Sequence, residues 1–161
     1  MEIYLLRHGD AEESLRIPDE ERSLTPEGRR KVGDVLLRAR DAGAGAALIF
    51  SSPLRRAVET AELAAEILGT KASIHKTNAL LPNAAPAEVW DQIHTNRTEP
   101  QLLMAAHEPL LSQAVAFLLG APAVQIEMKK GSLARVDIDQ FGSEPRGVLR
   151  WLLTPRLAGK A

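Results

Sequence analysis

The apolar positions of this chain fall into short continuous runs and longer helix-like patterns, and the two kinds alternate. Residues 3–6 form an unbroken apolar run that stops abruptly at Arg7-His8-Gly9. A run of that length without polar alternation predicts a strand buried on both faces. Residues 10–23 are polar and include Pro18, which predicts a loop. Leu24-Thr25-Pro26-Glu27 then starts a helix, with Thr25 as N-cap, Pro26 at the first helical position and Glu27 in the positive first turn. Val32, Val35, Leu36 and Ala39 follow at helical spacing, and residues 43–45, with Gly43 and Gly45, stop the helix.

The same alternation then repeats. Residues 46–50 predict a second buried strand, and Ser51-Ser52-Pro53 opens a helix at Pro53, capped by Ser52, that carries Leu54, Val58, Ala61, Ala65 and Leu68 along its inward face. Residues 72–77 form a weaker strand, and residues 86–94 a short helix with Val89, Trp90 and Ile93 inward. A strong strand at 101–106 runs into His107-Glu108-Pro109, followed by a helix bearing Leu110, Leu111, Ala114, Val115 and Leu118. Residues 124–128, 133–138 and 147–153 read as strands, with Lys129-Lys130-Gly131-Ser132 as a turn. This order predicts the α/β class: a three-layer sandwich, with a mainly parallel central sheet and helices on both faces. The last strands lack helical crossovers and predict an antiparallel edge. Residues 1–161 show no repeat, linker or low-complexity tract, so a single domain is expected.

Composition narrows the function. The apolar fraction of 45% fits a soluble globular protein, and the formal net charge of -1 argues against bulk nucleic-acid binding, which needs a basic surface. Any chemistry on phosphate therefore depends on a local cluster of cations. The chain has no cysteine, which excludes disulfides, thiolate catalysis and cysteine-held zinc. Its first residues carry neither a basic leader nor a long apolar run, so no signal peptide or membrane anchor is expected, and the cytoplasm is the expected location.

Three strand ends carry the unusual residues: Arg7-His8-Gly9, Ser52-Pro53-Leu54-Arg55-Arg56 and His107-Glu108-Pro109. In open α/β sheets ligands bind outside the carboxyl ends of the strands, so the topology gathers Arg7, His8, Arg55 and His107 at one edge. Guanidinium groups are planar, permanently charged forks that match phosphate oxygens. A neutral imidazole nitrogen can attack phosphorus, and a second imidazole can donate to the transferring group. The inventory suits an anion site with a nucleophile, and it needs neither metal nor another cofactor.

Leu6-Arg7-His8-Gly9 resembles the signature of the histidine phosphatase superfamily, which includes phosphoglycerate mutases and many phosphatases. The resemblance continues through residues 51–61 (Ser-Ser-Pro-Leu-Arg-Arg-Ala-Val-Glu-Thr-Ala), His107-Glu108-Pro109, Leu24-Thr25-Pro26-Glu27-Gly28 and Leu133-Ala134-Arg135-Val136, nearly the whole chain. It implies a phosphoglycerate mutase-like fold, His8 as nucleophile, and Arg7, Arg55 and His107 around the phosphoryl group. Within the superfamily, Arg7-His8-Gly9-Asp10-Ala11 and Arg22-Ser23-Leu24-Thr25 are similar to the SixA-type phosphohistidine phosphatase branch, as is the brevity of the chain. That branch implies a partner: a phosphohistidine-bearing protein such as a phosphotransfer domain, with neither nucleic acid nor membrane. Two departures stand out. Ala106 precedes the second histidine where relatives often have glycine, and Leu80-Leu81-Pro82-Asn83 holds no counterpart of the mutases' acidic glutamate.

Blander roles stand beside these. Arg56, one position from Arg55, is expected to point elsewhere and be solvated. His75 and His94 read as surface residues, Trp90 and Trp151 as core, and Lys129 and Lys130 as turn charges. Asp19 and Arg22 are further site candidates, because their loop leaves directly from the nucleophile. Three other functions compete with the leading one: a small-molecule phosphatase or mutase, a silent phosphate-binding module, and a metal site of His8, His107 and Asp10. The last ranks low, since adjacent arginines repel a divalent cation.

Overall fold

The computed structural model describes residues 1–13 and 15–159. Six strands, β1 (Glu2–Arg7), β2 (Leu48–Ser51), β3 (Ile74–Lys76), β4 (Gln101–Ala106), β5 (Leu133–Asp137) and β6 (Val148–Leu153), form one sheet in the order β3-β2-β4-β1-β5-β6. Neighbours among β3, β2, β4 and β1 pair in parallel, whereas β5 and β6 complete an antiparallel edge. The predicted architecture is thus the observed one.

Among the described residues five α-helices flank the sheet: α1 (Pro26–Asp41), α2 (Arg55–Leu68), α3 (Pro86–Thr95), α4 (Leu110–Leu118) and the short α5 (Pro155–Ala158). The central strands are apolar on both faces because each face has its own core. Tyr4, Leu6, Leu103 and Ala105 pack with Val32, Val35, Leu36 and Ala61 beneath α1 and α2. The alternate residues Ile3, Leu5, Leu102 and Met104 pack with Val89, Ile93, Leu110 and Val115 beneath α3 and α4. Trp90 is buried as expected, and Trp151 packs at the margin of the other core, 6.1 Å from Tyr4. His75 is exposed; His94 rests in part against Trp90 and Phe141.

Thr25 caps α1 as predicted, its Oγ1 accepting from the Gly28 N–H at 2.9 Å. Such a cap contributes about 1 kcal/mol. Gly9 lets the chain leave β1 hard against α1: a Cβ there would lie 2.9 Å from the Gly28 carbonyl oxygen and from Val32 Cγ2.

Three expectations are corrected. Residues 124–128 form no strand. The places beside β1 are already taken by β4 and β5, and the segment pairs with neither edge strand, β3 or β6. Instead Met128 is buried while its carbonyl faces Arg7. The second helix begins at Arg55 rather than Pro53, with Leu54 at its N-cap. Its deepest apolar residues are Ala57, Ala61 and Ala64, with Val58, Ala65 and Leu68 only half-buried, so the inward face is rotated from the predicted one. Alanines let the helix backbone approach the sheet closely, and the larger residues settle on the flanks.

Candidate active site

The parallel strands deliver their carboxyl ends to one edge, as the topology requires. His8 follows β1 directly and is fixed on both sides: its N–H donates to the Ala106 carbonyl at 3.1 Å, and its own carbonyl accepts from Gly131 N–H at 2.9 Å. Gly131 adopts φ 75°, a left-handed turn that favours glycine. His107 follows β4, and the two imidazoles lie 5.0 Å apart between ring centroids. Both are buried, at 7% and 2% exposure.

Their hydrogen bonds give the rings different roles. His8 Nδ1 lies 2.7 Å from the Gly9 carbonyl oxygen. A carbonyl only accepts, so Nδ1 carries the proton and Nε2 of the neutral ring keeps its lone pair. His107 Nε2 lies 2.8 Å from Ser52 Oγ, while its buried Nδ1 has no partner among the described residues. Ser52, predicted as a helix cap, therefore serves the histidine, although the Leu54 N–H also donates to it at 3.3 Å.

Arg7 reaches the Met128 carbonyl through Nη1 at 2.6 Å, and its buried Nε is left without a partner among the described residues. Burial holds its pKa below the ordinary value, with Glu108 and Asp10 opposing the shift.

The arginine expected to point away is the one the fold turns inward. Arg56 is 5% exposed, and its charge is felt at both histidines. Arg55, the predicted phosphate ligand, has a side chain 59% exposed and pairs with Glu59 at 3.2 Å. Successive helical residues differ by about 100° in direction, so only one of the two could face the sheet edge. Arg56 takes that face with Thr60, whose hydroxyl donates to the Arg56 carbonyl at 2.7 Å. The signal was present in the sequence: Arg56, Glu59 and Thr60 interleave with the small residues Ala57 and Ala61, polar groups on the most closely packed stripe.

Asp19 is brought to this arginine. Its carbonyl and Oδ2 accept from Arg56 at 2.8 and 3.2 Å, and its Oδ1 pairs with Arg22 at 3.0 Å. Arg22 thus touches the site only through Asp19. Its hydrogen bond to Arg22 holds the Asp19 carboxyl below the usual carboxylate range, with Arg56 adding to the effect. Glu59 also anchors the loop, accepting from Leu24 N–H at 2.7 Å.

Burial, reinforced by Arg56, Arg7 and Lys130, lowers the His8 pKa to about 4. Burial, with His8 and Arg56 adding, lowers that of His107 to about 3. Both rings are neutral at pH 7. A neutral nucleophile, a neutral second imidazole and two guanidinium groups form a pocket that accepts an oxyanion and offers it an unshared electron pair.

Residues 3–80 match the model of the histidine phosphatase superfamily, branch 1. An uncharacterized protein of Picosynechococcus sp. strain PCC 7002 is 29% identical over 136 residues, covering 83% of this chain and 82% of its own length. The chain superposes on the protein histidine phosphatase SixA complexed with tungstate with a TM-score of 0.86, at 24% identity, over 97% of this chain and 98% of that one. On the alpha-ribazole phosphatase from Shigella flexneri the TM-score is 0.71, at 19% identity, over 96% and 97%.

Proposed function

We propose that this chain is a member of the histidine phosphatase superfamily and a phosphohistidine phosphatase whose nucleophile is Nε2 of His8. The observation that carries the reading is the His8 Nδ1–Gly9 hydrogen bond, which keeps Nε2 unprotonated among Arg7, Arg56 and His107.

The reaction has two displacements. In the first, the Nε2 lone pair attacks phosphorus as the bond from phosphorus to the substrate's histidine nitrogen breaks. The departing imidazole keeps that electron pair and the proton on its other nitrogen, so it leaves neutral. In the second, water displaces His8, releasing inorganic phosphate and restoring the neutral ring. Charge on the equatorial oxygens meets Arg56, Arg7 Nε and His107 Nδ1, the last made a donor when Ser52 donates to Nε2.

Substrate preference follows from the acids at hand. An ester expels an alkoxide that needs a proton donor, whereas imidazole, with a conjugate-acid pKa of about 6.5, leaves without one. The carboxylate at Asp19 is held ionised by its arginines, and that of Glu108 accepts from Ser112 N–H at the start of α4 at 2.9 Å. An ionised Asp19 has no proton to give a leaving group, and Glu108 is engaged with α4.

Rapid quenching with radiolabelled phosphohistidine peptide should trap an acid-labile, alkali-stable phosphoryl-enzyme, and His8→Ala should abolish both the label and turnover, by at least about 10⁴-fold. Label that survives His8→Ala sinks the assignment. Equal turnover of phosphoserine peptide or phosphoglycerate would favour the small-molecule esterase instead.

A further inference from the structure

A cavity of about 740 Å³ opens beside the site and shares Arg7 with it, yet neither histidine lines it. It lies between the first half of α1, the 127–130 turn and the start of α5. Six cationic side chains line it, Arg7, Arg30, Lys31, Lys129, Lys130 and Arg156, against three carboxylates. In a chain of net charge -1 that surplus is local.

The carboxylates do not neutralise it. Asp10 is shared between Lys31 at 2.9 Å and Lys130 at 3.9 Å. Arg30 pairs with Asp34 and also with Glu27 of α1, each at 2.8 Å, and Glu127 pairs with Lys129, which still leaves more cations than carboxylates. Arg7 and Arg156 have no carboxylate partner among the described residues. The groove therefore presents unpaired, solvent-accessible positive charge that begins at a phosphoryl-site arginine.

Its volume is far larger than one phosphate needs, a water occupying about 30 Å³. A substrate with its phosphoryl group at His8 must extend past Arg7 to fill it. On a protein, that extension is the chain around the phosphohistidine. Exposed cations of this kind steer and align acidic partners more than they add raw affinity. We propose that this groove docks acidic side chains flanking the phosphohistidine of the substrate protein, and so selects among phosphohistidine proteins. The inference rests on the phosphohistidine phosphatase reading above.

The test uses short phosphohistidine peptides flanked by aspartates or by asparagines. The expected preference in kcat/KM for the aspartate peptide is on the order of tenfold at low salt, and it shrinks as salt screens the exposed charges. Lys129→Glu combined with Arg156→Glu should remove the preference; because the readout is a ratio of two substrates on one protein, a general loss of folded enzyme cancels. Equal rates on the two peptides with the unaltered protein overturn the proposal. Anisotropy of the unphosphorylated aspartate peptide tests the groove independently of catalysis. Binding lost on charge reversal supports it even if neither phosphopeptide is hydrolysed, an outcome that would overturn the phosphatase reading alone. Absence of such binding overturns the groove. Tighter binding of inorganic tripolyphosphate than of the peptide, with the same sensitivity to charge reversal, would assign the groove to a small polyanion and overturn docking of a protein.

Discussion

At the amino end of β1, Glu2 pairs with Arg135 at 2.8 Å, and Asp137 pairs with Arg135 at 2.8 Å and Arg150 at 2.7 Å. Gln101 Nε2 donates to the remaining Glu2 oxygen at 2.9 Å. Two arginines meet two carboxylates, and the charges close on one another. At the carboxyl end of the same strand, Arg7, His8, Arg56 and His107 gather, and Asp19 is the one carboxylate bonded to the group among the described residues. Arg7 Nε and His107 Nδ1 stay buried without partners among the described residues. Unmade hydrogen bonds on buried donors cost free energy, about 1–3 kcal/mol for each group. One end of the strand spends its charges on holding the sheet edge; the other keeps donors open for an oxyanion at some cost in stability.

That comparison can be broken most sharply at the paired arginines of α2. Arg56→Ala should lower kcat/KM by roughly 10²–10³-fold, the scale of one preorganised oxyanion donor. Arg55→Ala, which removes an exposed guanidinium from the buried Glu59 while Arg29 and the Leu24 N–H still hold that carboxylate, should change it by less than about threefold. Steady-state rates on a phosphohistidine peptide read both, and the reverse order would return the phosphate contact to Arg55. Asp19→Asn, which weakens the Arg56 tether but leaves the guanidinium in place, should fall between them.

A second test uses pH. With His8 titrating near 4 and His107 near 3, the acid limb of kcat/KM should fall near pH 4, not near the 6.5 of an unperturbed imidazole. The same shifts set a stability slope. Both folded values lie below the unfolded one, so between them the unfolded chain binds more protons and stability drops as pH falls below about 6.5. Each histidine contributes up to about 1.4 kcal/mol per pH unit. Urea denaturation at pH 7 and pH 5 should show a smaller drop for His8→Gln with His107→Gln than for the unaltered chain. An equal drop would mean that burial does not hold these rings neutral.

The smallest effect belongs to the closed network. Arg135→Ala should cost about 1 kcal/mol of stability in the same denaturation assay and leave kcat/KM within about a factor of two. A large loss of activity would show that the two ends of β1 are coupled.

Much of this was legible from the chain. Apolar runs of strand length alternating with helix-spaced residues forecast the parallel sheet and its antiparallel edge. Thr25, Pro26 and Glu27 marked the start of α1, and His8 and His107 stood at strand ends. The 124–128 segment misled because its composition suits a strand, while the places beside β1 are filled by β4 and β5 and the segment pairs with no edge strand. Ser52 misled because a serine before a helix satisfies local rules for a cap, and its bond to His107 crosses from β2 to β4.

Sequence by itself determined which residues could do chemistry and which edge of the sheet would collect them, because strand direction and helix periodicity are local properties repeated along the chain. Tertiary structure decided which of two adjacent arginines joins the site. Leu54-Arg55-Arg56-Ala57 taken alone reads equally well with either arginine inward, and the interleaving of Arg56, Glu59 and Thr60 with Ala57 and Ala61 only favours Arg56. A shift of one residue in a helix turns a side chain by about 100°. Packing of Ala57, Ala61 and Ala64 against the sheet set that rotation, and with it the inward turn of Arg56 toward Asp19 and the histidines. Contacts between elements distant in sequence have no local signature, so the cluster of Arg7, His8, Arg56 and His107 exists only once the sheet has assembled.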